Sequence, residues 1–289
     1  MCDDFTAQAE DAALKRREYS RRRFGILGAT VALVACSGSG KAEGPALSES
    51  MVKVTTPDGT ADAFFVHPAT GKHPGVIVWP DIGGLRDAFK VMARRLAGSG
   101  YSVLVVNQYY RSTAAPVVAS FSEWRTPEGQ AKLKPMIAAI TPAGTARDGA
   151  ALAKWLDGQD AVDTARKLGT QGYCMGGPLA VRTAAAAPDR IGAVGSMHGA
   201  GMVADDPQSP VKLIAKTQAS FLFAIGQNDD QRSPGDKDAL RQAAVAAGRP
   251  AEIEVYPADH GWCVPDTPMY NQAQAERAWT RLLALYGKL

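Results

Sequence analysis

Residues 169–180 read GTQGYCMGGPLA. The first half closes a β-like run, 167–174, and the second opens a helix-like segment, 177–188. A cysteine stands at the join with a glycine two places to either side: Gly172-Tyr173-Cys174-Met175-Gly176. A strand turning sharply into a helix crowds the positions two before and two after its tip, and glycine relieves that crowding. The tip residue takes a strained backbone conformation and presents its side chain. The helix that starts there aims its N–H groups and positive dipole end at the thiol, which favours a thiolate and later an oxyanion. The stretch therefore predicts a nucleophile at a strand–turn–helix junction. The plain alternative is a small buried cysteine in a glycine-rich turn.

The segments around this junction repeat its alternation. "MVKVTT" and "ADAFFVH" flank Pro57-Asp58-Gly59 and read as a hairpin. "GVIVWP" (75–80), "YSVLVVN" (101–107), "IGAVGSM" (191–197), "SFLFAIG" (220–226) and "AEIEVYP" (251–257) are apolar runs. Such runs suit strands covered on both faces. Helix-like segments lie between them at 86–100, 145–159, 177–188, 235–248 and 271–287, several ending at glycine or proline. The pattern predicts one α/β domain over 51–289, with a mostly parallel sheet and helices on both faces. Residues 108–143, with Trp124 and several prolines, break the alternation and read as an excursion over the top of the sheet.

Composition sets the class of protein. The chain has 289 residues, 46% hydrophobic and 21% charged, an ordinary globular balance. A net charge of +3, without a basic stripe in the main body, gives no case for nucleic acid. Four cysteines, Cys2, Cys36, Cys174 and Cys263, are no disulfide framework in a chain of this length. No metal-ligand spacing such as H-E-x-x-H occurs, so neither metal nor organic cofactor is expected. Nothing in the sequence sets an oligomeric state.

Residues 1–50 differ from the rest. A basic run, Ser20-Arg21-Arg22-Arg23-Phe24, precedes an apolar run too short to span a bilayer, from about residue 24 to 35. The pattern resembles a twin-arginine export signal followed by a flexible linker. Leu33-Val34-Ala35-Cys36 resembles a lipobox, which makes a lipid anchor at Cys36 the one expected membrane contact. The expectation is an exported, periplasmic or lipid-anchored protein. The alternative is a cytoplasmic protein with a basic tail.

A nucleophile needs a base, and the base an orienter, in the chain order nucleophile, acid, histidine. His260 follows the strand "AEIEVYP" and lies well downstream of Cys174. His198 is its rival but precedes every acid candidate, and His67 and His73 lie upstream. The strand "SFLFAIG" ends in Gln227-Asn228-Asp229-Asp230, offering two aspartates.

Over 51–287 the chain resembles the dienelactone hydrolases of the α/β-hydrolase fold. The resemblance is carried by "GYCMGG" (172–177), "GQND" (226–229), "DHGW" (259–262) and "PDIGG" (80–84). It implies a Cys174–His260–Asp229 triad, choosing Asp229 over Asp230. It implies an oxyanion hole from the N–H groups of Ile82 and Met175. It implies that Asp81, in place of a glutamate, contacts the resting thiol, and that Arg111 binds a substrate carboxylate. Val264 stands where a second arginine is found, and Gly261 replaces a serine. With Tyr109 and Trp262 alongside, this predicts a less charged pocket. The expected partner is a small ester or lactone. The rival function is a non-catalytic or thiol-redox pocket protein, in which Cys174 and Cys263 could pair.

Overall fold

The structure is a computed structural model and describes residues 45–289. The export-signal and lipobox readings fall outside the described residues. The expected hairpin is present: β1 (Leu47–Thr56) and β2 (Gly59–Pro68) pair antiparallel across a turn in which Gly59 takes φ +140°. The first described strand thus starts at Leu47, ahead of the run read from residue 51. Ser48, Glu49 and Ser50 are exposed on an edge strand, so no apolar pattern marked them.

Six strands then run parallel: β3 (Gly75–Trp79), β4 (Ser102–Val106), β5 (Leu168–Tyr173), β6 (Ile191–Met197), β7 (Ser220–Gly226) and β8 (Ala251–Tyr256). The eight-stranded order is β1-β2-β4-β3-β5-β6-β7-β8. Every residue of β3, β4 and β5 is buried, as continuous apolar runs require. Alternate residues face opposite layers. Ile77 and Leu104 meet Leu152, Leu156 and Val181 on one side. Val76, Val78, Val103 and Val105 meet Phe89, Leu96 and Leu282 on the other. Each fully buried side chain of this size contributes about 1.5–3 kcal/mol.

The helices cover both faces. They are α1 (Asp87–Gly98), α4 (Pro142–Asp157), α5 (Gly176–Ala186), α8 (Asp236–Ala246) and α9 (Gln272–Tyr286). The excursion after β4 is partly helical, with α2 (Phe121–Trp124) and α3 (Pro127–Ala138). It closes a third, smaller core: Ile82, Tyr109, Val117, Phe121, Trp124 and Leu133. Two short helices, α6 (Pro210–Leu213) and α7 (Gln227–Arg232), complete the chain order.

From β3 the chain steps outward to β4, then returns past β3 to form β5. The crevice at the carboxyl ends of β3 and β5 is therefore a topological switch point, where ligands of open α/β sheets bind. Residues 80–84 and Cys174 both emerge there.

Candidate active site

Cys174 follows β5 directly, 4% exposed, with φ +54°. Left-handed backbone costs a non-glycine residue roughly 1–2 kcal/mol, so surrounding contacts must hold it. The glycines make those contacts possible. A Cβ at Gly172 would lie 1.9 Å from the Gly176 carbonyl oxygen, and one at Gly176 would lie 2.3 Å from the Trp79 oxygen. The turn is thus pressed against the end of β3, and α5 begins at its tip.

The two N–H groups expected to receive an oxyanion, those of Met175 and Ile82, are each oriented by their own peptide plane. The N–H of Met175 shares a peptide with the Cys174 carbonyl, which accepts from Gly177 N at 3.0 Å and Ala200 N at 3.3 Å. The N–H of Ile82 shares a peptide with the Asp81 carbonyl, which accepts from Gly84 N at 3.0 Å and Gln108 Nε2 at 2.7 Å. In a trans peptide the N–H points opposite its carbonyl. Each donor is therefore fixed by two hydrogen bonds on the far side of its plane. Tyr109, 1% exposed, supports both segments, donating from its hydroxyl to Ile82 O at 2.8 Å and Met175 Sδ at 3.3 Å.

His260 sits in the turn after β8, 4% exposed, and its Nδ1 lies 2.9 Å from Asp229 Oδ2. Its backbone N–H donates to Asn228 Oδ1 at 2.8 Å. Gly226 leaves room for the carboxylate, since a Cβ there would stand 2.8 Å from Asp229 Oδ2. Asp230 faces elsewhere, accepting from Lys237 Nζ at 2.7 and 2.9 Å. The aspartate facing the histidine is thus Asp229. Both belong to α7, where the sequence suggested only the end of a strand.

His198, weighed in the sequence only as a rival base, lies at the centre of the site. It is 1% exposed, and its Nδ1 accepts from the Cys174 backbone N–H at 3.1 Å. Its ring stands edge-on to that of His260, with centroids 4.8 Å apart. Burial first, and then the His260 ring, hold its pKa well below the ordinary histidine value.

Three of the expected site residues have partners of their own in the protein. Asp81 is engaged by Arg86, whose Nη1 and Nη2 donate to its two oxygens at 2.6 and 2.9 Å, while Gly83 N donates at 2.9 Å. A carboxylate occupied in this way anchors the turn, and a role on the thiol does not follow from its geometry. Arg111 is likewise occupied, by Asp148 at 2.8 and 2.9 Å and Asp58 at 2.6 Å. Two aspartates already fill the place of a substrate carboxylate. Trp262 is 0% exposed, stacked on Tyr256 and edge-on to His198, so it backs the histidines and does not line a pocket.

Sequence reasoning passed over Arg86. Its guanidinium, 1% exposed, also donates to Asp266 at 2.7 and 2.8 Å, and Asp266 accepts from Phe121 N at 3.1 Å. Burial works against its charge, but Asp81 and Asp266 outweigh it and raise its pKa. One side chain thus joins the Ile82 turn, the excursion and the loop after His260. Nothing periodic in the sequence marks such a link.

Beside Met175 opens a cavity of about 220 Å³, lined by Ile137, Ile140, Pro178, Ala200 and Arg182 among others. Arg182 donates from Nη2 to Gln208 O at 3.5 Å and feels the charge of Asp206, with no salt bridge to it among the described residues. Neither Cys174 nor Cys263 is in a disulfide among the described residues. Cys263 is buried in the α1–α9 core, which pushes its thiol pKa well up.

The chain is similar to known proteins over nearly all of the described domain. A protein of Methylorubrum extorquens named "Putative carboxymethylenebutenolidase" is 29% identical over 237 residues, spanning 80% of this chain and 78% of its own. A protein of the same name from Escherichia coli K12 is 29% identical over 227 residues, 76% of this chain and 80% of its own. The crystal structure titled "Putative Dienelactone Hydrolase" from Klebsiella pneumoniae superposes with a TM-score of 0.72. It covers 84% of this chain and 100% of that one at 24% identity, which establishes the shared fold. The model of the dienelactone hydrolase family matches residues 61–289, from within β2 to the last residue. The match spans every element that carries the site, and the chain belongs to the dienelactone hydrolase family.

Proposed function

We propose that this hydrolase cleaves a carboxylic ester or lactone with Cys174 as nucleophile, His260 as base and Asp229 as its orienter. The observation that carries the reading is Cys174 at positive φ at the switch point, with the peptides that carry the Met175 and Ile82 N–H groups each held from behind by two hydrogen bonds. In the proposed mechanism Asp229 accepts from Nδ1–H of His260, so Nε2 is the basic nitrogen and takes the thiol proton. The thiolate forms a bond to the carbonyl carbon, and the displaced electron pair settles on oxygen. That oxyanion accepts from Ile82 and Met175, donors whose loss costs about 2.7–4 kcal/mol each in comparable sites. Collapse expels the alcohol or enolate, which recovers the proton from His260 and leaves a thioester. His260 then deprotonates water, which attacks the thioester and restores the thiol.

With Arg111 engaged by two aspartates, Arg182 is the proposed cation at the cavity beside Met175. It suits an apolar acyl or alcohol group ending in an anion. The N-terminal segment is proposed to direct export, with a lipid anchor at Cys36.

The test is hydrolysis of a p-nitrophenyl ester panel, with neutral and carboxylate-ended acyl chains, by the chain and by Cys174→Ala. Turnover by the chain and its loss in the variant is the expected result. Turnover that survives in Cys174→Ala overturns the assignment.

A further inference from the structure

We infer that His198 is a positioning residue for this reaction: one neutral imidazole holds both the backbone of the nucleophile and the ring of the base. The inference rests on the proposed roles of Cys174 and His260.

Its geometry stands on four observations. Tyr173 and Met197 are register partners at the ends of β5 and β6. The next residue on each strand is Cys174 and His198, the two non-glycine residues with positive φ among those described, at +54° and +41°. Two strained backbones therefore sit side by side. The His198 backbone is tied to the next strand, its N–H donating to Ala224 O at 2.7 Å. Its Nδ1 takes the Cys174 N–H at 3.1 Å, a donor that Met197 O shares at the same distance. Its ring meets His260 at 4.8 Å on one side and Trp262 at 5.1 Å on another.

Chemistry makes the side chain specific. To accept the amide, Nδ1 must be unprotonated, which puts the ring's single proton on Nε2. A phenyl ring would fill the same volume and keep the contact with His260, yet offer no acceptor. The Cys174 amide would then lose one of its two partners, and the strained turn one of its restraints. Misplacing a reacting group by about 1 Å is enough to cost around a hundredfold in rate. A second effect follows from the same bond. With its own N–H drawn toward β6, Cys174 leaves the Met175 N–H as the donor on the substrate side.

The experiment compares His198→Phe, His198→Asn and His198→Gln in the full chain. The Asn side-chain oxygen stands at the distance of Nδ1 from Cβ, and the Gln oxygen reaches the place of Nε2. Two readouts are taken. One is kcat and KM on a p-nitrophenyl ester. The other is the pH dependence of iodoacetamide alkylation at the Cys174 peptide, followed by mass spectrometry, which needs no turnover. In His198→Phe and His198→Gln, kcat is expected to fall about tenfold to a hundredfold with KM within about threefold. The alkylation midpoint is expected to move up in both. His198→Asn is expected to recover most of the rate and the wild-type midpoint.

Three results overturn the inference. Equal loss in Asn and Gln shows that the acceptor at Nδ1 does not matter. Unchanged rate and midpoint in all three shows that the ring does nothing for the thiol. Loss beyond about 10⁴-fold in all three marks His198 as the base itself. Should Phe fail to fold, as a thermal melt reports, the Asn–Gln pair decides. If Cys174→Ala keeps activity, the assignment of Cys174 as nucleophile fails, while the alkylation arm still reports on His198.

Discussion

Two adjacent aspartates with the same side chain have different surroundings, and the difference makes a prediction. Asp229 lies 2.9 Å from His260 Nδ1, whereas Asp230 is paired with Lys237. Asp229→Asn should lower kcat by about 10²–10⁴-fold, while Asp230→Asn should stay within a few-fold of the parent, both read on the same ester. The two thiols differ likewise. Burial raises the Cys263 pKa well above the ordinary thiol value, so at pH 8 it holds almost no thiolate. In a Cys2→Ser/Cys36→Ser background, a disulfide reagent at pH 8 should label Cys174 quickly. Cys263 should react only on unfolding or toward strongly alkaline pH. At this scale the sequence was legible where a backbone constraint forces a residue type. The glycines around Cys174 are such a case. It was illegible where a charged side chain chooses between protein and substrate. Arg111 reads as a free clamp until Asp58 and Asp148, remote in sequence, fold against it.

Elements decide how the turn carrying Ile82 keeps its place. Arg86, at the start of α1, pairs with Asp81 in that turn and with Asp266 beyond His260, and Asp266 holds the first residue of α2. Removing the cation would leave two carboxylates facing each other, one of them buried. Arg86→Met should therefore destabilise the chain by about 3–5 kcal/mol, as breaking a buried pair does, visible as a drop in the denaturant midpoint. The central strands were readable as apolar runs because both of their faces are covered. The start of β1 was not, because Ser48, Glu49 and Ser50 face solvent. The helices of the excursion were hidden for another reason. They pack on a small core of their own, in which Tyr109, Phe121, Trp124 and Leu133 are widely spaced along the chain.

The whole molecule sets where these parts meet. The sheet order brings the ends of β3 and β5 together, and β6, β7 and β8 deliver His198, Asp229 and His260 to the same edge. The α/β architecture was therefore predictable from alternation alone, and the candidate site was read from the turns that end its strands. The central claim is that Cys174 carries the acyl group. It is tested most directly by mixing the full chain with a p-nitrophenyl ester, quenching in acid within milliseconds to seconds, and mapping the mass gain by peptide. The account predicts one acyl group, bound as a thioester on the peptide containing Cys174 and removable by hydroxylamine. An acyl group on any other residue, or turnover with no adduct at any quench time, would contradict it.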